Sequence, residues 1–399
     1  VSENAAIRTA SSEVVRDINR RIVLNLIRTR QPISRADLSR ASGMQRSTIS
    51  LIVEELISEN WLIEGPAVKL PRGRRPTFLR LNEERAIIGV DIRPSQTTIA
   101  LADVNGKFGP VDAFPTPRHA EAGIREIVSR IGNLIERGNG RKMEGIGIAL
   151  PGRYDQTPGK LVFAPNLGWR DVDLRTPIAE ATGLEVELEN AANACALAAV
   201  WFDHVESFRN VVAVTVSEGI GTGILVNGQL ACGLGGMAGE FGHVSLDPDG
   251  PLCSCGSRGC WEVFGSNRAA VRYYREAMGD VPGEARAIPA DLAGVTFLDL
   301  LARAEAGDNH ATGALERMAH QLGRGMRIIV AGLAPERILV IGDLTRSWHL
   351  FGPLLEADVA AQVLPGGQTP HLVAVHEDGM ARLRGTVALV LRKHFSPAM

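Results

Sequence analysis

The chain has 399 residues, 45% hydrophobic and 22% charged, a globular mix with material for two or three domains. Its formal net charge of −2 argues against a uniformly basic nucleic-acid binder, and no apolar run of about 18 residues offers a membrane span. The N-terminal stretch lacks the basic, apolar, small-residue order of a secretory signal, so a cytoplasmic protein is expected. The charge is unevenly spread. Residues 1–82 hold 14 Arg and Lys against 8 Asp and Glu, a net of +6 that leaves −8 on the remainder. A basic module joined to an acidic body predicts two different partners.

Val14, Val15, Ile18, Ile22, Leu26 and Ile27 recur at helical spacing until Pro32 breaks the pattern. Ser34 is placed to cap a short second helix through Leu38 and Ala41, and Gly43 supplies a tight turn. Ile49, Ile52, Val53, Leu56 and Ile57 then form the apolar stripe of a third helix. Its first turns offer Gln45, Arg46, Ser47, Thr48 and Ser50, groups suited to base edges and phosphates in a major groove. Two short strands, 61–64 and 78–81, flank a Pro-bounded loop with Arg72, Arg74 and Arg75 around Gly73. Arginines on such an extended loop suit a narrow, electronegative minor groove. Together these features predict a DNA-binding winged helix-turn-helix over residues 1–82. The alternative is a three-helix bundle that docks a protein, with the loop as a flexible basic linker.

From residue 86 the pattern changes. Strands are predicted at 87–92, 97–103, 144–150, 211–216 and 337–342, with Asn105 and Gly106 as turn residues. Helices are predicted over 193–205 and 313–333, and a glycine-rich turn over 217–223. Strands entering glycine-rich loops in both halves predict a two-lobed α/β body with a cleft. His243, Cys253, Cys255 and Cys260 supply one imidazole and three thiols within 18 positions, a soft tetrahedral set for Zn²⁺. Four protein ligands leave no open coordination position, so the ion would be structural. Scattered buried cysteines beside a core histidine form the alternative, and that description suits the isolated Cys195 and Cys232. Segment 279–294, rich in Pro, Ala and acids, predicts a surface excursion without chemistry.

The run GMAGEFGH over 236–243, followed by CSCGSRGCWE over 253–262, gives residues 86–399 a specific likeness. They resemble the ROK family of sugar kinases and sugar-responsive repressors. With the basic module in front, the whole chain resembles the repressor branch, regulators of xylose or N-acetylglucosamine operons. The resemblance implies an actin/hexokinase-like (ribonuclease H-like) body, with one lobe over 83–190 and a zinc-bearing lobe over 191–399. It also implies that the C-terminal helix returns to the first lobe. Sugar contacts are implied for Gly152, Arg153, Asn190, Glu240, His243 and Glu262. Glu240 and Glu262 would accept from hydroxyls, and His243 would serve sugar and metal together.

The kinase machinery departs from the family pattern. In the kinases an Asp and a glycine-rich turn admit the ATP phosphates, whereas here Arg93 and Pro94 follow Asp91. The kinase base is the Asp of an ENDAN run; this chain reads ENAAN over 189–193, with Ala191 in that place. A methyl group accepts no proton. Glu189 is no substitute, because adjacent side chains on an extended segment point in opposite directions. Gly342 and Asp343 also replace the usual Gly-Gly pair. No catalytic residue is assigned. The expectation is a homodimer or tetramer that binds operator DNA and takes a monosaccharide effector in its cleft. An active sugar kinase carrying a DNA-binding domain, or a regulator bound by a transport-system protein, stays open. So do the choice among pentose, hexose and N-acetylated hexosamine, and the sign of regulation.

Overall fold

The structure is a computed structural model that describes residues 12–65, 77–138, 140–155, 159–164, 166–202, 209–279, 294–361, 363, 366–375 and 380–395. Arg72, Arg74, Arg75 and most of segment 279–294 lie outside the described residues.

The N-terminal module runs α1 (Ser12–Arg30), β1 (Ile33–Ser34), α2 (Arg35–Ser42), α3 (Arg46–Ser58), β2 (Leu62–Glu64) and β3 (Phe78–Leu81). Ser34 caps α2 by accepting the Asp37 amide at 3.2 Å, and Gly43 ends it in the left-handed region at φ 72°. Helix α3 buries Ile49, Ile52, Val53 and Leu56, each stabilising the module by roughly 1.5–3 kcal/mol. β3 pairs antiparallel with β1 and with β2, so the strand pair expected from sequence gains a third member.

Two five-stranded sheets build the body. The first contains β4 (Arg85–Ile92), β5 (Gln96–Asp103), β6 (Phe108–Pro115), β7 (Lys142–Leu150) and, later in the chain, β11 (Val186–Asn190), in the order β6-β5-β4-β7-β11. Helix α4 (Ala120–Arg137) connects β6 to β7. A small sheet of β8 (Arg153–Asp155), β9 (Lys160–Ala164) and β10 (Trp169–Val172), then α5 (Arg175–Thr182), precedes β11. After α6 (Ala191–Phe202) the second large sheet contains β12 (Val211–Val216), β13 (Ile220–Val226), β14 (Gln229–Leu230), β15 (Arg337–Ile341) and β16 (His371–Val375). Its order is β14-β13-β12-β15-β16. Each sheet is an antiparallel meander of three strands, with two more strands running parallel to the first of them. The chain thus traces one topology twice. Helices α7 (Trp261–Gly265), α8 (Asn267–Ala277), Phe297–Glu305, Asn309–Leu333 and Trp348–Ala360 contribute to the core beside the second sheet.

Helix α6 is buried along almost its whole length and packs against the C-terminal helix Ala381–Phe395, which also lies on β7, β4 and β11. The contact is close enough that a Cβ on Gly385 would sit 2.2 Å from the Ala194 carbonyl oxygen. Residues 217–223 differ from expectation: β13 begins at Ile220, so the last glycines of the run are in a strand. The reason is packing, since a Cβ on Gly223 would fall 2.3 Å from the Ala192 carbonyl oxygen.

The module is docked on the body. One apolar cluster takes Leu24, Ile27 and Trp61 from the module together with Trp201, Val387 and Phe395 from α6 and the C-terminal helix. Arg28 donates to the Trp201 carbonyl at 2.6 Å and lies 4.5 Å from that ring's centroid. Arg85 bonds the Glu59 and Asn60 carbonyls and Glu144, with its guanidinium over Trp61. No described helix is long and apolar enough to cross a membrane.

Candidate functional site

The cleft is assembled from strand ends. After β7 the turn at Gly152 takes φ 92°, and a Cβ there would meet the Phe163 carbonyl oxygen at 2.4 Å. Asn190, the last residue of β11, donates to the Gly152 carbonyl at 2.8 Å and accepts the Ala192 amide at 2.8 Å. One amide therefore ties two strand ends to the start of α6. Glu240 and His243 occupy a single 3₁₀ turn, Glu240–His243, and three-residue spacing puts them on the same side. Glu262 comes from α7 and accepts the Ile220 amide at 3.1 Å.

Gly152, Arg153, Asn190, Glu240, His243 and Glu262 all line one cavity of about 470 Å³, together with Ala191. That size suits a small ligand. Two cavities of about 820 Å³ lie elsewhere, one of them beside Glu218, Arg268 and Asp343, but neither gathers these paired carboxylates. Burial lifts the Glu240 carboxyl above its ordinary range, against the pull of His243 and Arg153 and with help from the Glu262 charge. Asn166 also lines the cavity. Phe163, Met237 and Arg382 also line it without having been singled out in the sequence. Met237 lies inside the 236–243 run, whereas nothing in local spacing marks Phe163 or Arg382, which arrives from the C-terminal helix.

His243, Cys253, Cys255 and Cys260 place their ligand atoms within 4.8 Å of one another. Cys253 Sγ lies 3.6 Å from His243 Nδ1, and the Cys255 and Cys260 sulfurs are 3.7 Å apart. A tetrahedral zinc with Zn–S near 2.3 Å separates its sulfurs by about 3.8 Å, so the donors fit such an ion. Burial, with the neighbouring thiols, pushes Cys260 up to about 12. Burial also opposes ionisation of Cys255, but the Ser257 amide and adjacent thiols outweigh it and bring that group to about 7. A divalent cation would stabilise all three thiolates together. With Nδ1 turned to the sulfurs, His243 Nε2 faces Glu240 at 3.7 Å, beyond hydrogen-bond range.

At the other end of the cleft Asp91 is 1% exposed, and Arg93 Nε donates to its Oδ2 at 2.6 Å. Arg382 lies 3.8 Å from the second oxygen. The chain turns directly from β4 into β5 there, closed by the Arg93 amide on the Gln96 carbonyl at 3.1 Å. Glu189 is 4% exposed and accepts from Asn193 Nδ2 and the Asn190 amide, both at 2.9 Å. Its carboxylate is taken up by these donors at the start of α6, where it lines a small polar pocket with Gly152, Asn190 and Glu240.

On the N-terminal module, Gln45 precedes α3, and Gln45, Arg46 and Ser47 are exposed. Thr48 and Ser50 are half-buried at the margin of that face.

A body that repeats one sheet topology on either side of a cleft, with polar groups converging from strand ends, is built like the sugar kinases. The model described as the ROK family matches residues 87–393, and the chain belongs to that family. A curated relative, "Xylose repressor" of Bacillus spizizenii, is 30% identical over 364 residues, 89% of this chain and 90% of that protein. A solved structure described as a ROK family transcriptional regulator, homolog of the E. coli MLC protein, superposes with TM-score 0.81 at 26% identity. That alignment covers 96% of this chain and 98% of the other, so it includes the N-terminal module. A ROK family glucokinase from Streptomyces griseus, solved with glucose and AMPPNP, superposes with TM-score 0.67 at 29% identity over 76% of this chain and 98% of that one.

Proposed function

We propose that this chain is a sugar-responsive, DNA-binding transcriptional repressor of a carbohydrate-utilisation operon that performs no phosphoryl transfer. The observation that carries this reading is the phosphoryl-transfer end of the cleft. Ala191 leaves the sugar hydroxyl without a base, and Arg93 already holds the Asp91 carboxylate. The end-to-end likeness to a repressor and to a transcriptional regulator supports the same reading.

In this reading residues 1–82 form a winged helix-turn-helix on operator DNA, and 83–190 and 191–399 form the two lobes. Gln45, Arg46, Ser47, Thr48 and Ser50 meet the major groove, and Arg72, Arg74 and Arg75 the minor groove. A monosaccharide sits among Gly152, Arg153, Asn190, Glu240, His243 and Glu262, with the two carboxylates accepting from its hydroxyls. Zn²⁺ held by His243, Cys253, Cys255 and Cys260 is structural, and it fixes the loop that carries Glu240 and the start of α7. A cytoplasmic homodimer, or a tetramer, presents two modules to a pseudo-palindromic site.

The test is linkage. Sugar that releases operator DNA must itself bind more weakly to the DNA-bound protein, by the same factor. Equal sugar affinity with and without saturating operator sinks the mechanism. The kinase alternative, which the glucokinase likeness keeps alive, predicts ATP turnover with some monosaccharide; its absence across a sugar panel supports the sensor.

A further inference from the structure

Helix α3 divides its surface unevenly. Ile49, Ile52, Val53 and Leu56 enter the core, while Arg46, Ser47, Leu51, Glu54 and Ser58 face solvent. Leu51 is 68% exposed, the most exposed large apolar side chain among the described residues of the N-terminal module. A single exposed leucine needs no explanation on its own. Its neighbours supply one.

The acids around α3 are not equivalent. Glu55 pairs with Arg16 of α1 at 2.9 Å, and Glu59 pairs with Arg20. Glu54, exposed on the same side as Leu51, has no ion pair among the described residues. A bare carboxylate and a bare leucine side by side make a poor surface for a phosphate backbone. They make a good surface for base edges, which offer amino donors and, on thymine alone, a C5-methyl group. Attraction to the backbone comes from the module as a whole, which carries a net +6 with Glu54 included. Ser47 lies one helical turn before Leu51 and supplies a hydrogen-bonding group on the same face.

We infer that Leu51 is a base-reading side chain that packs on a thymine C5-methyl in the major groove and so sets part of the operator's sequence preference. The inference rests on the DNA-binding reading above and names the base chemistry that this face of the helix takes.

The experiment uses the full chain and a randomised DNA duplex. Bound sequences are enriched, and each thymine of the winning site is replaced in turn by deoxyuridine, which removes only the methyl. The expected result is a thymine whose methyl is worth about threefold to fivefold in wild-type affinity, the value for one buried methyl. Leu51→Ala should bind the thymine duplex more weakly and ignore the exchange at that position. The uracil series on wild-type protein does not depend on how the variant folds. If every uracil duplex binds as well as its thymine parent, or if Leu51→Ala keeps the full methyl dependence, the assignment is wrong. If no duplex is enriched at all, the DNA-binding reading falls and takes this inference with it.

Discussion

Arg85 offers the sharpest energetic test of how the N-terminal module is held. Its side chain is 3% exposed and that of its partner Glu144 is 7% exposed. Nε donates to the Asn60 carbonyl at 3.0 Å, the other nitrogens reach the Glu59 carbonyl and Glu144, and the guanidinium lies 3.8 Å from the Trp61 ring centroid. Burial lowers the Arg85 pKa, and the Glu144 charge partly offsets that effect. Arg85→Ala strands the Glu144 carboxylate in a dry setting and orphans two carbonyls. Breaking a buried pair from one side costs about 3–5 kcal/mol. Removing both charges with Arg85→Met and Glu144→Leu should cost far less, because neither desolvated ion remains. Urea unfolding of the two single variants and the double gives the coupling directly. A single variant within about 1 kcal/mol of wild type, or a double variant as damaged as Arg85→Ala, would refute the reasoning.

His394 gives a pH prediction at the same junction. Burial, reinforced by Lys393, Arg85 and Arg20, holds it down at about 4 from an ordinary 6.5. Between those values the unfolded chain binds a proton that the folded chain refuses, so stability is complete above about pH 6.5 and declines as pH falls toward 4. His394→Gln should flatten that decline, and identical acid limbs for both proteins would contradict it. Cys255→Ser should abolish stoichiometric zinc in elemental analysis and lower the melting temperature; full metal retention would remove Cys255 from the ligand set. Glu240→Ala should lower sugar affinity at least tenfold by calorimetry, the order expected for losing charged hydrogen bonds, while operator affinity stays unchanged. A parallel loss of both would mark Glu240 as structural.

Much of this was legible in the chain because the signals are local. The Ser34 cap, the Gly43 turn and the apolar stripe of α3 each lie within a few residues, and the structure places them as expected. The metal cluster was equally readable, since three of its donors fall within one loop. What sequence could not show depends on distant approach. Gly221 and Gly223 read as a turn because nothing local reveals the helix pressed against them; in the structure they let β13 approach α6. The three short strands β8, β9 and β10 escaped for want of clear alternation, although Phe163 of β9 reaches the cleft. Arg382 had no local marker either, and its position follows only from the return of the C-terminal helix.

Residue 82 marks a change in composition, yet the hydrophobic core passes straight through it. Val23, Leu24 and Trp61 share one cluster with Leu197, Trp201, Val387 and Phe395. The two parts are therefore not interchangeable beads. A body cut free at this point would expose an apolar face of a kind that soluble monomers avoid, and would self-associate. A module borrowed from a relative would function only with its matching contact surface on α6 and the C-terminal helix. A substitution at this junction therefore acts on two surfaces at once, one on the module and one on the body.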